Sequence, residues 1–174
     1  MLQLSNSLLN RPVLSLRTGA PVATTTSAII NPNNLKIEGF YCQDRYEKRT
    51  PILLTQSIRD ILPQGIVIND YDDLSDQDEL VRLKDVLDLS FELIGKNVVT
   101  QGKERLGKVN DYAADNQTLF VQKIYVTQSI LKSLNTGQLS IDRNQIIEIT
   151  NKKIVIKEIL KPVRGNVQTR VQAA

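Results

Sequence analysis

Histidine is absent from the 174 residues and cysteine occurs once, at Cys42. The commonest general base, the Ser-His and Cys-His nucleophile pairs and the usual zinc ligand sets are therefore missing. Acid–base work would fall to Asp, Glu, Lys or Tyr. Two stretches invite a closer look. Gly102-Lys103-Glu104-Arg105-Leu106-Gly107-Lys108 has the glycine and lysine spacing of a phosphate-binding loop. Val109 stands where that motif needs a hydroxyl for Mg²⁺, and no amphipathic helix follows, so a turn is expected instead. The acidic run Asp70, Asp72, Asp73, Asp76, Asp78, Glu79 lacks the glycine of a calcium loop, and Leu74 falls on a ligand position. A solvated loop capping a helix is expected there. No catalytic residue, cofactor-binding residue or metal ligand is assigned, no cofactor is expected, and the chain is read as not an enzyme.

Charge is the remaining chemical signal. Residues 1–92 hold 9 Lys and Arg against 13 Asp and Glu, and residues 93–174 hold 13 against 6. The halves thus carry opposite signs, −4 and +7. An anionic partner for the basic half, or mutual attraction of the halves, would each account for this. Lys103, Arg105, Lys108, Arg143, Lys152, Lys153 and Lys157 are the basic residues expected on turns and outward strand positions. An RNA platform would also want aromatics for stacking. Tyr112, Phe120 and Tyr125 are present, and barrel packing is the expected use of Phe120 and Tyr125.

The elements that would position these residues are short strands. Val98-Val99, then Leu119 to Tyr125, then Gln145 to Lys157 are rich in β-branched residues. The last reads as a hairpin, with Ile147 and Ile149 on one arm, a turn at Asn151-Lys152, and Ile154 and Ile156 on the other. Pro51–Thr55 and Gly65–Ile68 also read as strands, with Thr55–Ile61 as a helical or turn segment between them. Ser75 followed by Asp78 resembles a cap before Leu80, Leu83 and Leu87, which sit at helical spacing. No apolar run approaches the roughly 20 residues that a membrane-crossing helix needs. The first residues lack the basic start and compact apolar core of a signal peptide. Cys42, in a strand-like run, is expected to be a buried inert thiol of a reducing cytosol, so a cytoplasmic location is expected.

The chain also reads as a duplication. Leu8–Val13 lines up with Leu93–Val98, Lys36–Cys42 with Phe120–Val126, and Thr55-Gln56-Ser57-Ile58 with Thr127-Gln128-Ser129-Ile130. That alignment places extra residues in the first copy, around Gln43–Leu54.

The stretch Leu93-Ile94-Gly95-Lys96-x-Val98, then Leu106-Gly107-Lys108-Val109-x-Asp111, then the Ile146–Ile156 hairpin resembles the PRC-barrel family. That family includes the cytoplasmic domain of the photosynthetic reaction centre H subunit, the C-terminal domain of a ribosome maturation factor and many bacterial proteins. The resemblance implies a mainly β fold of two tandem small PRC-type β-barrels with short helical connectors. The expected division is 1–90, a divergent first repeat, 91–161, the second repeat, and 162–174, a disordered tail. It implies a non-catalytic adaptor or assembly module that binds protein partners. The alternative is RNA or ribosome association through the basic C-terminal half.

Overall fold

The computed structural model describes residues 1–127 and 138–158. The expected tail, 162–174, lies outside them. Two seven-stranded sheets make up the molecule. The first contains β2 (Pro12–Ser15), β3 (Pro21–Asn31), β4 (Lys36–Asp44), β5 (Ile52–Leu54), β6 (Asp60–Leu62), β7 (Gly65–Ile68) and β8 (Leu74–Ser75). The second contains β1 (Leu2–Leu4), β9 (Asn97–Thr100), β10 (Arg105–Asp115), β11 (Val121–Thr127), β12 (Gln138–Asp142), β13 (Ile146–Ile149) and β14 (Lys153–Ile156). The expected hairpin is therefore β13–β14. A single α-helix, α1 (Lys84–Asp88), is present among the described residues.

The two sheets follow one path. The first runs β6-β7-β2-β3-β4-β5 and the second β13-β14-β9-β10-β11-β12. In each, a single parallel pair, β2 with β7 and β9 with β14, sits among antiparallel ones. β8 extends the first sheet, and β1 lies on β10 of the second. No ladder among the described residues joins the two ends of either path.

The irregularities match as well. Pairing skips Thr26 between Thr25↔Cys42 and Ser27↔Tyr41, and skips Asn110 between Val109↔Val126 and Asp111↔Tyr125. A second slip falls between Ile29 and Ile30 and between Ala113 and Ala114. A third falls between Val13 and Leu14, and at the corresponding place opposite Val98 and Val99. Bulges bend a strand and sharpen its twist, so repeated bulges impose the same curvature on both sheets. The entry to each repeat is also shared. Asn10 (φ 56°) and Gly95 (φ 87°) both adopt left-handed backbone. The Asn10 N–H donates to Thr25 O at 2.8 Å and the Gly95 N–H to Val109 O at 2.7 Å.

The repeats meet at their hairpin tips. Leu35 (φ 57°) and Leu119 (φ 55°) occupy equivalent positions there. The Ile37 N–H donates to Leu119 O at 2.8 Å, and the Val121 N–H donates to Leu35 O at 2.9 Å. One apolar core spans both sheets, from Val13, Ile37, Phe40 and Ile66 to Val98, Val121, Ile124 and Ile154. Burying a side chain of this size contributes roughly 1.5–3 kcal/mol, so a shared core couples the two repeats strongly.

Four sequence expectations are corrected. The Thr55–Ile58 match does not mark equivalent places. Thr55–Ser57 forms the 3-10 turn after β5, whereas Thr127 ends β11 and Gln128–Ile130 lie outside the described residues. The counterpart of Thr55–Ser57 is the 3-10 turn Arg143–Gln145 after β12. Tyr41↔Ile52 and Tyr125↔Ser140 are equivalent pairs, and the second encloses more residues, so the longer connection is in the second repeat. The helix expected from Leu80 is broken into 3-10 turns, Gln77–Glu79 and Val81–Leu83, before α1. Leu80, at ψ 58°, interrupts the helical path. The apolar spacing was nevertheless informative, because Leu80, Leu83, Val86 and Leu87 all pack with Ile29 and Ile52. The caps are Asp70 with Asp73 and Asp76 with Glu79, rather than Ser75 with Asp78.

Candidate interaction surface

The outer face of β10, β9 and β14 brings Arg105, Lys108 and Lys153 together. Lys108 and Lys153 are both register partners of Asn97, one on each side of it. Residues directly opposite one another point to the same face of a sheet. The neighbours Val109 and Ile154 are buried, so Lys108, Asn97 and Lys153 form a row on the solvent side. Arg105 lies opposite Val99 one step further along, with Val155 beyond it and Glu148 at the far end of that row. Lys108 and Lys153 have no acidic partner among the described residues.

The same row of the first sheet is uncharged. Thr24, Pro12 and Gly65 occupy the places of Lys108, Asn97 and Lys153. A Cβ on Gly65 would lie 2.4 Å from Pro12 O, so no side chain fits there without a shift. The charge asymmetry of the sequence thus becomes a difference between two equivalent faces.

Of the other basic residues, Lys103, Lys152 and Lys157 are exposed. Arg143 is used inside the molecule. Its guanidinium lies 4.7 Å from the Phe120 ring centre and donates to Asn34 O at 2.8 Å, tying the second repeat to the hairpin tip of the first. One face of the half-buried Phe120 is thereby occupied, and Tyr112 is buried. Tyr125, opposite Asp111 and two residues from Thr127 (the partner of Lys108), is the aromatic left half-exposed on the basic face.

The remaining polar residues serve the fold. Gly102–Gly107 does not open a helix but leads into β10, and the Gly102 N–H donates to the Glu158 carboxylate. Gly107 (φ 147°) lies inside the strand rather than in a turn, and a Cβ there would sit 2.0 Å from Thr127 O. The acidic run supplies caps and ion pairs: Asp70 with Arg17 at 2.7 Å, and Asp76 with Arg49 at 2.8 Å. Asp44, its side chain fully covered, accepts from the Tyr71 hydroxyl at 2.6 Å, Arg49 Nε at 2.7 Å and the Tyr46 N–H at 2.8 Å. Burial pushes its carboxyl up, but these hydrogen bonds outweigh burial and hold it below the usual carboxylate range. Tyr71 is raised by its bond to Asp44, so neither group is poised as a nucleophile or base. Every strong donor in this cluster is already engaged, and Tyr46 packs edge-on against Tyr71 at 5.4 Å. Cys42 is buried, and burial pushes its thiol up to about 12. It is inert at neutral pH.

Among the described residues, no group of three or more acidic or cysteine side chains is arranged to hold a metal ion. No helix among them is long and apolar enough to cross a membrane. The chain matches no model of a known protein family and none of the curated proteins.

Proposed function

We propose that the protein is a non-catalytic docking module built on two tandem PRC-barrel-like repeats, and that it holds an acidic surface of a protein partner on the outer face of β10, β9 and β14. The observation that carries this reading is the row Lys108-Asn97-Lys153, two ammonium groups with no acidic partner among the described residues, set against the uncharged Thr24-Pro12-Gly65 of the other repeat. Charges that served only solubility would have no reason to concentrate on one of two equivalent faces. Strands fix side-chain positions more tightly than loops do, which suits recognition. The duplicated strand order supports the PRC-type reading of each repeat.

Association with RNA or the ribosome is the second reading, favoured by Tyr125 beside the basic row. One half-exposed tyrosine is a thin platform for stacking, with Tyr112 buried and one face of Phe120 occupied by Arg143. Recovery of partners from lysate on the full chain, with and without nuclease, separates the two. The protein reading expects recovery that survives nuclease and weakens with added salt. Loss of all recovered material on nuclease treatment would replace it with the RNA reading.

A further inference from the structure

The two repeats also differ in what lies on their outer faces. In the first sheet, Ile29, Tyr41 and Ile52 pack against Leu80, Leu83, Val86 and Leu87 of the segment 77–88. In the second sheet, Ala113, Tyr125 and Ser140 hold the same places. Ser140 is exposed and Tyr125 half-exposed. The segment on the first sheet turns its leucines inward and leaves its charges outside. Asp78, Asp85 and Asp88 are exposed and have no basic partner among the described residues. Asp78 and Asp88 line one cleft of about 540 Å³, together with Leu80, Val81 and Lys84. Val81 is 78% exposed, an apolar side chain among these acids.

The outer face of the second sheet carries the opposite sign. Its other charges are already matched. Asp111 accepts from the Ser5 hydroxyl at 2.6 Å, Lys123 pairs with Asp142 at 3.0 Å, and Arg105 shares its row with Glu148. Lys108 and Lys153, both exposed, are what remains, with Tyr125 as the apolar group beside them. One copy of the chain therefore holds both halves of a complementary pair: carboxylates around Val81, and ammonium groups beside Tyr125. No ion pair among the described residues joins the two faces within a copy.

We infer that the partner of the basic face is a second copy of this chain, whose segment 77–88 brings Asp78 and Asp88 against Lys108 and Lys153. This rests on the docking reading above and names its occupant. Opposite charges steer the encounter and fix the register, and Val81 against Tyr125 supplies an apolar contact inside the charged rim. Exposed charges are screened by salt, so the association is salt-sensitive.

The test is the mass of the full chain in solution, read by sedimentation over a range of concentrations. From about 10 μM to about 1 mM the average mass should rise at low salt, and it should return toward that of one chain at about 0.5 M salt. Lys108→Glu with Lys153→Glu, and separately Asp78→Lys with Asp88→Lys, should each weaken self-association at least about tenfold. All four positions are exposed, so melting temperatures close to wild type are expected. An equimolar mixture of the two variants should associate again, because each reversed face now complements the other. A wild-type chain that stays single throughout the range at low salt, folded variants that associate as wild type does, or a mixture of folded variants that stays single would each overturn the proposal. The wild-type series needs no variant and decides the matter even where a variant fails to fold. A single chain that still loses a lysate partner on reversal of Lys108 and Lys153 would overturn this proposal alone and leave the docking reading in place.

Discussion

The two repeats share a strand path, a parallel pair and three bulges, yet they present different outer rows and different edges. Lys108 and Lys153 answer to Thr24 and Gly65, and β1 on the edge of β10 has no strand counterpart on β3 among the described residues. The conserved geometry lies in backbone register and buried side chains. The differences lie where a change of residue leaves the path intact. One strand path, used twice, thus carries two different surfaces.

The comparison breaks most completely if the repeats are separated. The fragment 91–161 would lose β1 from β10, the tip pairing with Leu35 and half of the common core. It should show no cooperative thermal transition, measured by calorimetry. A sharp transition would mean that each repeat carries a sufficient core of its own.

Gly107 and Ala23 occupy equivalent places, opposite Val98 and Val13. Only Gly107 has a positive φ and a carbonyl in the way of a Cβ. Gly107→Ala should destabilise by about 3 kcal/mol in denaturant melts. Ala23→Gly should cost only about 0.5–1 kcal/mol, from backbone freedom. Equal effects would show that the two positions are not distinguished by backbone.

The Asp44 cluster belongs to the first repeat alone. Asp44→Asn should lower stability by about 2 kcal/mol at neutral pH, since Arg49 and Tyr71 lose a charged acceptor. The folded-state pKa of Asp44 lies below its unfolded value. Its contribution is therefore complete above the ordinary carboxylate range and is lost as pH falls through the folded value. The difference between wild type and variant should shrink in acid and persist at neutral pH, read from melts across that range.

A small effect of opposite sign is expected at Tyr112, whose counterpart in the first repeat is Ala28. Tyr112→Phe removes a buried hydroxyl that has no partner and should raise stability by about 1 kcal/mol, without a change in the amide spectrum away from the site. A loss of stability would reveal that the hydroxyl is engaged in solution.

Much of this architecture was legible in the residues. Leu8–Val13 against Leu93–Val98 and Lys36–Cys42 against Phe120–Val126 hold in register, because buried leucine, valine and aromatic positions are fixed by packing. Thr55–Ile58 misled, because the four-residue match begins a 3-10 turn in the first repeat and the end of β11 in the second. Ile66-Val67-Ile68 against Ile154-Val155-Ile156 was the better anchor, each lying parallel to the strand that opens its repeat. The basic residues could be named from sequence, but their meeting across Asn97 depends on the parallel β9–β14 pair, a long-range pairing that no local pattern encodes. The withdrawal of Arg143 onto Phe120 and Asn34 depends on contact between the repeats. The position of Gly107 inside a strand follows from the approach of Thr127 O, again a tertiary fact.

The central claim is that the basic row of the second repeat, and not its counterpart in the first, faces the partner. Lys108→Glu with Lys153→Glu should be compared with Thr24→Glu for melting temperature and for partner recovery from lysate treated with nuclease. Both changes lie on solvent-facing strand positions, so melting temperatures within a few degrees of wild type are expected. The double reversal should abolish recovery of the partner, while Thr24→Glu should leave it unchanged. Full recovery on the doubly reversed protein, at intact stability, would contradict the account.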